Sequence, residues 1–202
     1  MKKEILIVLL NEFADWESAF IAPNLNCGVE PGSECKYIVK TLSLTKEPVI
    51  SLGGFRVIPD YDLSSMPNNY AGLILIGGTK WFTPETEQLV PIIREALKDE
   101  KLVAGICNAS VFLGKYGFLN NINHTSNGIE YLKAFAGPDY SGVEYYVDSP
   151  AVRADNIVTA GGLGTLEFCR EILLALEADT SDKIERGYRM YKSGVWEMPE
   201  SK

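Results

Sequence analysis

The chain has 202 residues, about the size of one larger domain, of which 46% are hydrophobic and 23% charged, as in ordinary soluble proteins. Its formal net charge is −8, which argues against the basic surface that binds nucleic acid or anionic membranes. No apolar run approaches the roughly 20 residues of a membrane span. We therefore predict a single domain over residues 1–202, with neither a nucleic-acid nor a membrane partner.

The N-terminal segment and the cysteines bear on the cellular compartment. The apolar run at 5–10 has six residues, fewer than the roughly 7–15 of a secretory signal, so we expect a cytoplasmic protein with reduced thiols. His124 is the only histidine, which excludes a multi-histidine metal site. The cysteines form no Cys-x-x-Cys pair, so neither a metal nor another cofactor is expected. They are Cys27 and Cys35, which share one loop and could bridge under oxidation, and Cys107 and Cys169.

Strand patterns alternate with helix patterns along the chain. In order, we predict a strand at 5–10, a short helix at 15–21, an irregular excursion at 22–35, a strand at 37–44, a hairpin at 49–58 and a buried strand at 73–76. A helix opened by Thr83-Pro84-Glu85 runs to 98, a strand at 102–106 leads into a helix at 111–116, and Ser126-Asn127 caps a helix ending near 134. Strands flank a turn at 154–156, and helices follow at 165–176 and 182–192. The alternation predicts an α/β fold, a mostly parallel twisted sheet sandwiched by helices.

Cys107 stands at the end of the apolar run 102–106, just before the small residues Ala109 and Ser110 and a helical pattern. This order predicts a strand, a sharp turn and a helix, the geometry that nucleophile elbows use with serine. Helix N–H groups and the helix dipole at such a position stabilise a thiolate by roughly 0.3–1 kcal/mol. The alternative is a small buried cysteine that packs as a hydrophobic residue.

Two other strand ends are expected to meet Cys107 at the carboxyl edge of the sheet. Glu17 follows the first strand, and a carboxyl group beside a thiolate raises the thiol pKa when ionised but lowers it when protonated and hydrogen bonded. Gly77 and Gly78 follow the strand 73–76, and their backbone N–H groups are candidates for holding an oxyanion. The alternatives are a solvated helix acid at Glu17 and an ordinary strand-to-loop turn at the glycines.

His124 is the one histidine available as a base for Cys107, and the alternative is a structural or solvated histidine. Gly161, Gly162 and Gly164 precede a helix but lack the spacing of a phosphate-binding loop. We therefore assign these glycines to tight packing between a strand and a helix.

Four segments, taken in order, resemble the ThiJ/PfpI family, which has the flavodoxin-like fold of class I glutamine amidotransferases: residues 13–17, 75–78, 104–109 and 158–168. The resemblance implies that Cys107 is the nucleophile, that Glu17 is its acidic partner and that Gly77 or Gly78 forms the oxyanion hole. It further implies that residues 22–36 are a loop insertion beside the site, and that the protein is a homodimer or a larger homo-oligomer.

Two positions depart from the family pattern. In the peptidase-like branch a histidine follows the cysteine directly, whereas this chain has Asn108, which stays a candidate site residue by its position. In other branches a histidine lies downstream of the elbow helix, and the segment 123–127 places Asn127 there rather than His124. We therefore expect neither an amidotransferase-type Cys-His-Glu triad nor proteolysis.

The resemblance implies a cysteine-dependent enzyme, either a hydrolase like the family's intracellular proteases or a glyoxalase-type lyase, acting on a small carbonyl or amide substrate. In that interpretation Cys107 attacks the carbonyl carbon, Gly77 and Gly78 hold the oxyanion, and Glu17 moves a proton. Two alternatives stay open. One is a stress-response protein with Cys107 as a redox sensor, and the other is a small-molecule-binding protein without catalysis.

Overall fold

The computed structural model describes residues 2–196, and its centre is a six-stranded sheet. In chain order, the strands are β1 (Lys3–Val8), β2 (Tyr37–Leu42), β3 (Val49–Ile50), β4 (Arg56–Val57), β5 (Tyr70–Leu75), β6 (Leu102–Ile106), β7 (Ala151–Ala154) and β8 (Ile157–Ala160). The sheet order is β2-β1-β5-β6-β8-β7, and β3 pairs with β4 in a separate hairpin. All neighbours in the large sheet are parallel except β7, which is antiparallel to β8. The predicted α/β fold with a mostly parallel sheet is confirmed.

Helices cover both faces of this sheet. They are α1 (Asp15–Ser18), α2 (Ile21–Cys27), α3 (Leu89–Lys98), α4 (Asn108–Lys115), α5 (Ile129–Ala136), α6 (Thr165–Ala175) and α7 (Ser181–Ser193). Apolar side chains of α3, α4 and α5 pack on one face, and those of α2, α6 and α7 pack on the other. None of the helices within residues 2–196 is long and apolar enough to cross a membrane.

The burial of β1 shows why its sequence is an uninterrupted apolar run. Leu6 and Val8 belong to one hydrophobic cluster, and Ile5 and Ile7 belong to the cluster on the opposite face. A strand covered on both faces cannot alternate between apolar and polar residues, because every side chain is removed from water. The carboxyl ends of β1, β5 and β6, which are neighbours in the sheet, therefore come together beneath the loops that follow them.

The predicted irregular excursion at 22–35 is wrong in its first part, because α2 extends from Ile21 to Cys27. Pro23 lies in the first turn of this helix, where backbone N–H groups have no intrahelical acceptor, so proline costs no hydrogen bond. Gly28 ends the helix with a φ of 92°, and its N–H donates to the Asn24 carbonyl oxygen at 3.1 Å. Helix α1 is correspondingly shorter than the predicted 15–21.

Two predicted helix starts are also wrong. Pro84–Gln88 forms a 3-10 turn, and α3 begins only at Leu89. Helix α5 begins at Ile129, because the Ser126 and Asn127 side chains bind other groups instead of the helix N-terminus. The Ser126 and Asn127 side chains are used by tertiary contacts, whereas the Thr83 hydroxyl donates locally to the Lys80 carbonyl oxygen at 3.2 Å.

Candidate active site

Cys107 occupies the turn between β6 and α4, with φ 57° and ψ −128°. A positive φ in a residue other than glycine costs of order 1–3 kcal/mol and persists only where its surroundings hold it. Here the Cys107 N–H donates to the Ala160 carbonyl oxygen at 2.9 Å, and its own carbonyl oxygen accepts the Ser110 hydroxyl at 2.6 Å. The backbone on both sides of Cys107 is therefore fixed, and the half-buried thiol lies at the carboxyl edge of the sheet.

Glu17 is the buried acid of the site, with only 1% of its surface exposed. Its Oε2 accepts the Gly77 N–H at 2.7 Å, whereas Oε1 is buried without a hydrogen-bond partner among residues 2–196. Burial raises the pKa of Glu17 to about 7, against the lowering effect of the Gly77 N–H and the neighbouring Cys107 thiol. The acid therefore changes its protonation near neutral pH.

The pKa of the Cys107 thiol is raised, first by burial and then by the negative charge of Glu17. Hydrogen bonds from the Asn127 side chain and the Asn108 backbone N–H act in the opposite direction. The start of α4 thus stabilises the thiolate through the Asn108 N–H, as expected, but burial and the charge of Glu17 have the larger effect on the thiol pKa. Because the two groups influence each other, Cys107 and Glu17 titrate as a pair.

The two glycines after β5 have different functions in the structure. The Gly77 N–H is used by Glu17, and a side chain at this position would place its Cβ 2.6 Å from Cys107 Cβ. The Gly78 N–H has no hydrogen-bond acceptor among the described residues, which makes it a candidate donor to an oxyanion. Gly78 has φ 148°, and an added Cβ would lie 2.8 Å from Phe13 Cα, so glycine is required there.

Asn108 holds the second glycine of this turn in place. Its Nδ2 donates to the Gly78 carbonyl oxygen at 2.8 Å, and its Oδ1 accepts the Tyr131 hydroxyl at 3.0 Å. A neutral amide with both ends bonded does not exchange protons with a thiol. The position next to the cysteine is therefore occupied by a residue that orients the turn rather than by a base.

Asn127 contacts the sulfur directly. Its Nδ2 donates to Cys107 Sγ at 3.3 Å, and its Oδ1 accepts the Gly162 N–H at 2.9 Å. The sequence placed Asn127 at the downstream position, but it assigned Gly162 only to packing. Gly162 in fact lies against the reacting groups, because an added Cβ would be 3.2 Å from Cys107 Sγ and 3.3 Å from Glu17 Oε1.

The candidate base His124 has other partners. Its Nδ1 lies 2.7 Å from the Ile122 carbonyl oxygen and its Nε2 lies 2.7 Å from the Tyr140 hydroxyl. Since a carbonyl only accepts, Nδ1 carries the proton and Nε2 accepts from Tyr140. Burial lowers the pKa of His124, which is fully enclosed and neutral. The structural alternative for His124 therefore fits the geometry, and a role as base for Cys107 does not.

Comparison with known proteins identifies the family of the chain. A profile of the DJ-1/PfpI family matches residues 3–175. The chain belongs to the DJ-1/PfpI family. It is 33% identical over 195 residues to YdeA of Bacillus subtilis, named an uncharacterized protease, across 96% of this chain and 93% of that protein.

Two solved structures extend the likeness to the whole fold of this DJ-1/PfpI protein. A thiJ/pfpI family protein from Bacillus anthracis superposes with a TM-score of 0.88 and 33% identity, covering 96% of this chain and 92% of that chain. A DJ-1 superfamily protein from Agrobacterium tumefaciens superposes with a TM-score of 0.84 and 31% identity, covering 95% and 98% respectively. The resemblance stated from the sequence is confirmed at the level of family and fold.

Within the DJ-1/PfpI chain, the structure brings together Cys107, Glu17, both glycines after β5 and Asn108, and it leaves His124 outside this group. Among residues 2–196, no three His, Cys, Asp or Glu side chains are arranged to hold a metal ion. The arrangement supplies a thiol, an acid that titrates near neutral pH and, at Gly78, a backbone N–H without an acceptor among residues 2–196. These are the parts needed for addition of sulfur to a carbonyl carbon.

Proposed function

We propose that this protein is a cysteine-dependent enzyme that acts on small carbonyl or amide compounds, with Cys107 as nucleophile and Glu17 as the group that accepts and returns its proton. The observation that carries the proposal is the burial of Glu17 beside the thiol, with no hydrogen-bond partner for Oε1 among residues 2–196 and a pKa of about 7. An acid–base group is most effective when its pKa lies near the working pH.

The first step is the addition of the thiol to the carbonyl. The Glu17 carboxylate takes the S–H proton, the sulfur electron pair forms an S–C bond, and the carbonyl π pair moves onto oxygen. The Gly78 N–H donates to that oxygen as negative charge develops on it. Glu17 then returns its proton to the oxygen, which gives a neutral adduct without any other proton donor.

The groups around the thiol favour small carbonyl substrates such as 2-oxoaldehydes over peptides. Asn108 and Asn127, which stand where relatives carry histidine, are neutral amides and do not act as bases. Peptide cleavage requires protonation of a leaving amine and then activation of water, and the single acid–base group beside Cys107 must do both. Addition to an aldehyde has no leaving group.

The test is turnover of small aldehydes and amides by the wild type, Cys107→Ser and Glu17→Gln. We follow product formation by NMR, because simple adduct formation also consumes aldehyde. We expect both variants to lose product formation by about 100-fold or more. Cys27→Ser is the matched control, since Cys27 is an exposed cysteine and is expected to leave turnover unchanged. Equal turnover by Cys107→Ser would refute the proposal, and reversible oxidation of Cys107 without turnover would favour the redox-sensor alternative.

A further inference from the structure

The orientation of the Asn127 side chain is determined by its neighbour. The Gly162 N–H can only donate, so the amide atom 2.9 Å away must be the oxygen. The NH₂ group is therefore the end that faces Cys107 Sγ at 3.3 Å. An amide nitrogen has no acceptor capacity, so Asn127 presents only donors to the sulfur.

Gly162 is in turn held from its other side. Its carbonyl oxygen accepts the Trp16 indole N–H at 3.3 Å, and Trp16 precedes Glu17 in α1. The peptide of Gly162 thus connects the helix that carries the acid with the amide that contacts the sulfur. The absence of a side chain at Gly162 gives the sulfur room, because a Cβ would lie only 3.2 Å from Sγ.

The residue before Asn127 is tied to the same turn. The Ser126 hydroxyl lies 2.7 Å from the Ser110 hydroxyl, which bonds the Cys107 carbonyl oxygen at 2.6 Å. Both hydroxyl groups are enclosed by protein. The backbone that carries Asn127 is therefore fixed relative to Cys107 by one contact and its amide by another.

We propose that Asn127 is a positioning residue whose NH₂ group donates a hydrogen bond to the reacting sulfur and cannot accept the thiol proton. Glu17 is then the group that exchanges protons with Cys107. This inference rests on the proposed function, because it names how the same thiol is held and deprotonated. The titratable side chains that interact with Cys107 are Glu17 of α1 and Tyr131 of α5, and the Tyr131 hydroxyl donates to Asn108.

The test is the rate of Cys107 alkylation by iodoacetamide against pH, measured on the full-length protein with peptide mass spectrometry. In Asn127→Asp a carboxylate faces the sulfur, and we expect the midpoint of the curve of alkylation rate against pH to rise by about 1 pH unit or more. In Asn127→His an imidazolium faces the sulfur at low pH, and we expect the midpoint to fall by about 1 pH unit. Asn127→Ala removes the donor without adding charge, and its midpoint is expected between those of the wild type and Asn127→Asp.

Asn121→Asp is the matched control, because it adds the same charge at an exposed position beyond the far end of α4. Its midpoint is expected to equal that of the wild type. A residue that only fills space would leave the Asn127→Ala midpoint at the wild-type value, and that result would overturn the proposal. Unchanged midpoints in Asn127→Asp and Asn127→His, or shifts of the same sign, would overturn the proposal.

Alkylation separates this inference from the proposed function, because iodoacetamide reacts with the thiol whether or not the protein has a substrate. A raised Asn127→Ala midpoint in a protein without turnover would uphold the positioning role and refute the enzymatic function. Turnover that depends on Cys107, together with alkylation midpoints that do not change when residue 127 is substituted, would uphold the enzymatic function and refute the positioning role.

Discussion

Glu17→Gln replaces a buried carboxyl group by an amide of the same shape that does not titrate. In the folded protein burial raises the pKa of Glu17 from 4.5 to about 7, whereas in the unfolded chain the group ionises near 4.5. Between these values the unfolded chain has released a proton that the folded protein still holds. The free energy of unfolding of the wild type therefore falls as pH rises through this window, and the loss is complete above it.

The size of this loss in free energy of unfolding follows from the width of the pH window. A window of about 2.5 pH units, at about 1.36 kcal/mol per unit, gives roughly 3 kcal/mol. The glutamine oxygen can still accept the Gly77 N–H, which lies 2.7 Å from Oε2 of the native acid. We expect the stability of Glu17→Gln relative to the wild type to increase by roughly 3 kcal/mol between about pH 4.5 and 8, or by roughly 6–12 °C in Tm.

The assay is urea unfolding of both proteins across this pH range, with reducing agent present and tryptophan fluorescence as the signal. Burial and the charge of Glu17 raise the pKa of the Cys107 thiol, so this thiol titrates above the window in which Glu17 titrates. Glu47→Gln, which replaces an exposed carboxyl group by an amide, is the matched control. A difference for Glu17→Gln that stays constant, or that falls as pH rises, would refute the reasoning.

Three further predictions concern the turn, the histidine and the assembly. Gly78→Ala should lower the free energy of unfolding by about 1–3 kcal/mol more than Gly54→Ala, because both have positive φ but only Gly78 has backbone atoms where a Cβ would lie; equal losses in urea unfolding would contradict this. His124→Gln should lower the free energy of unfolding by about 1–3 kcal/mol, since it disturbs the buried hydrogen bond to Tyr140, and should leave the Cys107 alkylation midpoint unchanged. A shifted midpoint would show that His124 influences the Cys107 thiol. The expected homodimer or larger homo-oligomer should give a mass by light scattering of at least about twice 22.3 kDa, and the monomer mass would refute this expectation.

The sheet could be predicted from sequence because its central strands carry a signal that does not depend on the rest of the chain. The apolar runs at 73–76 and 102–106 are uninterrupted, which is required only where both faces of a strand are covered. Helix α2 could not be predicted, because proline and asparagine within 22–27 are also typical of loops. Pro23 is acceptable there only because the helix begins two residues earlier, and that start depends on how Ile21 packs on the sheet.

The pairing of Cys107 with Glu17 could be predicted for a related reason. Each follows a parallel strand, and β1 and β6 are separated in the sheet only by β5, so their carboxyl ends converge. Gly162 follows β8 and belongs to the same edge, but its glycine-rich segment has an ordinary packing explanation. Nothing in the local sequence indicates that its N–H orients the Asn127 amide toward the sulfur.

The pKa of the Cys107 thiol is raised, although the local motif of a cysteine at the start of a helix predicts that it is lowered. The start of α4 favours a thiolate, and the Asn108 N–H does lower the pKa of Cys107. The opposing effects, burial and the charge of Glu17, depend on Gly77 and Gly162 allowing other groups to pack against the thiol. In the proposed mechanism, the Cys107 thiol of raised pKa is activated when Glu17 takes its proton, because the thiol is not already ionised. Reactivity of Cys107 should therefore depend on the pair, and a cysteine at the same turn without Glu17 would not reproduce it.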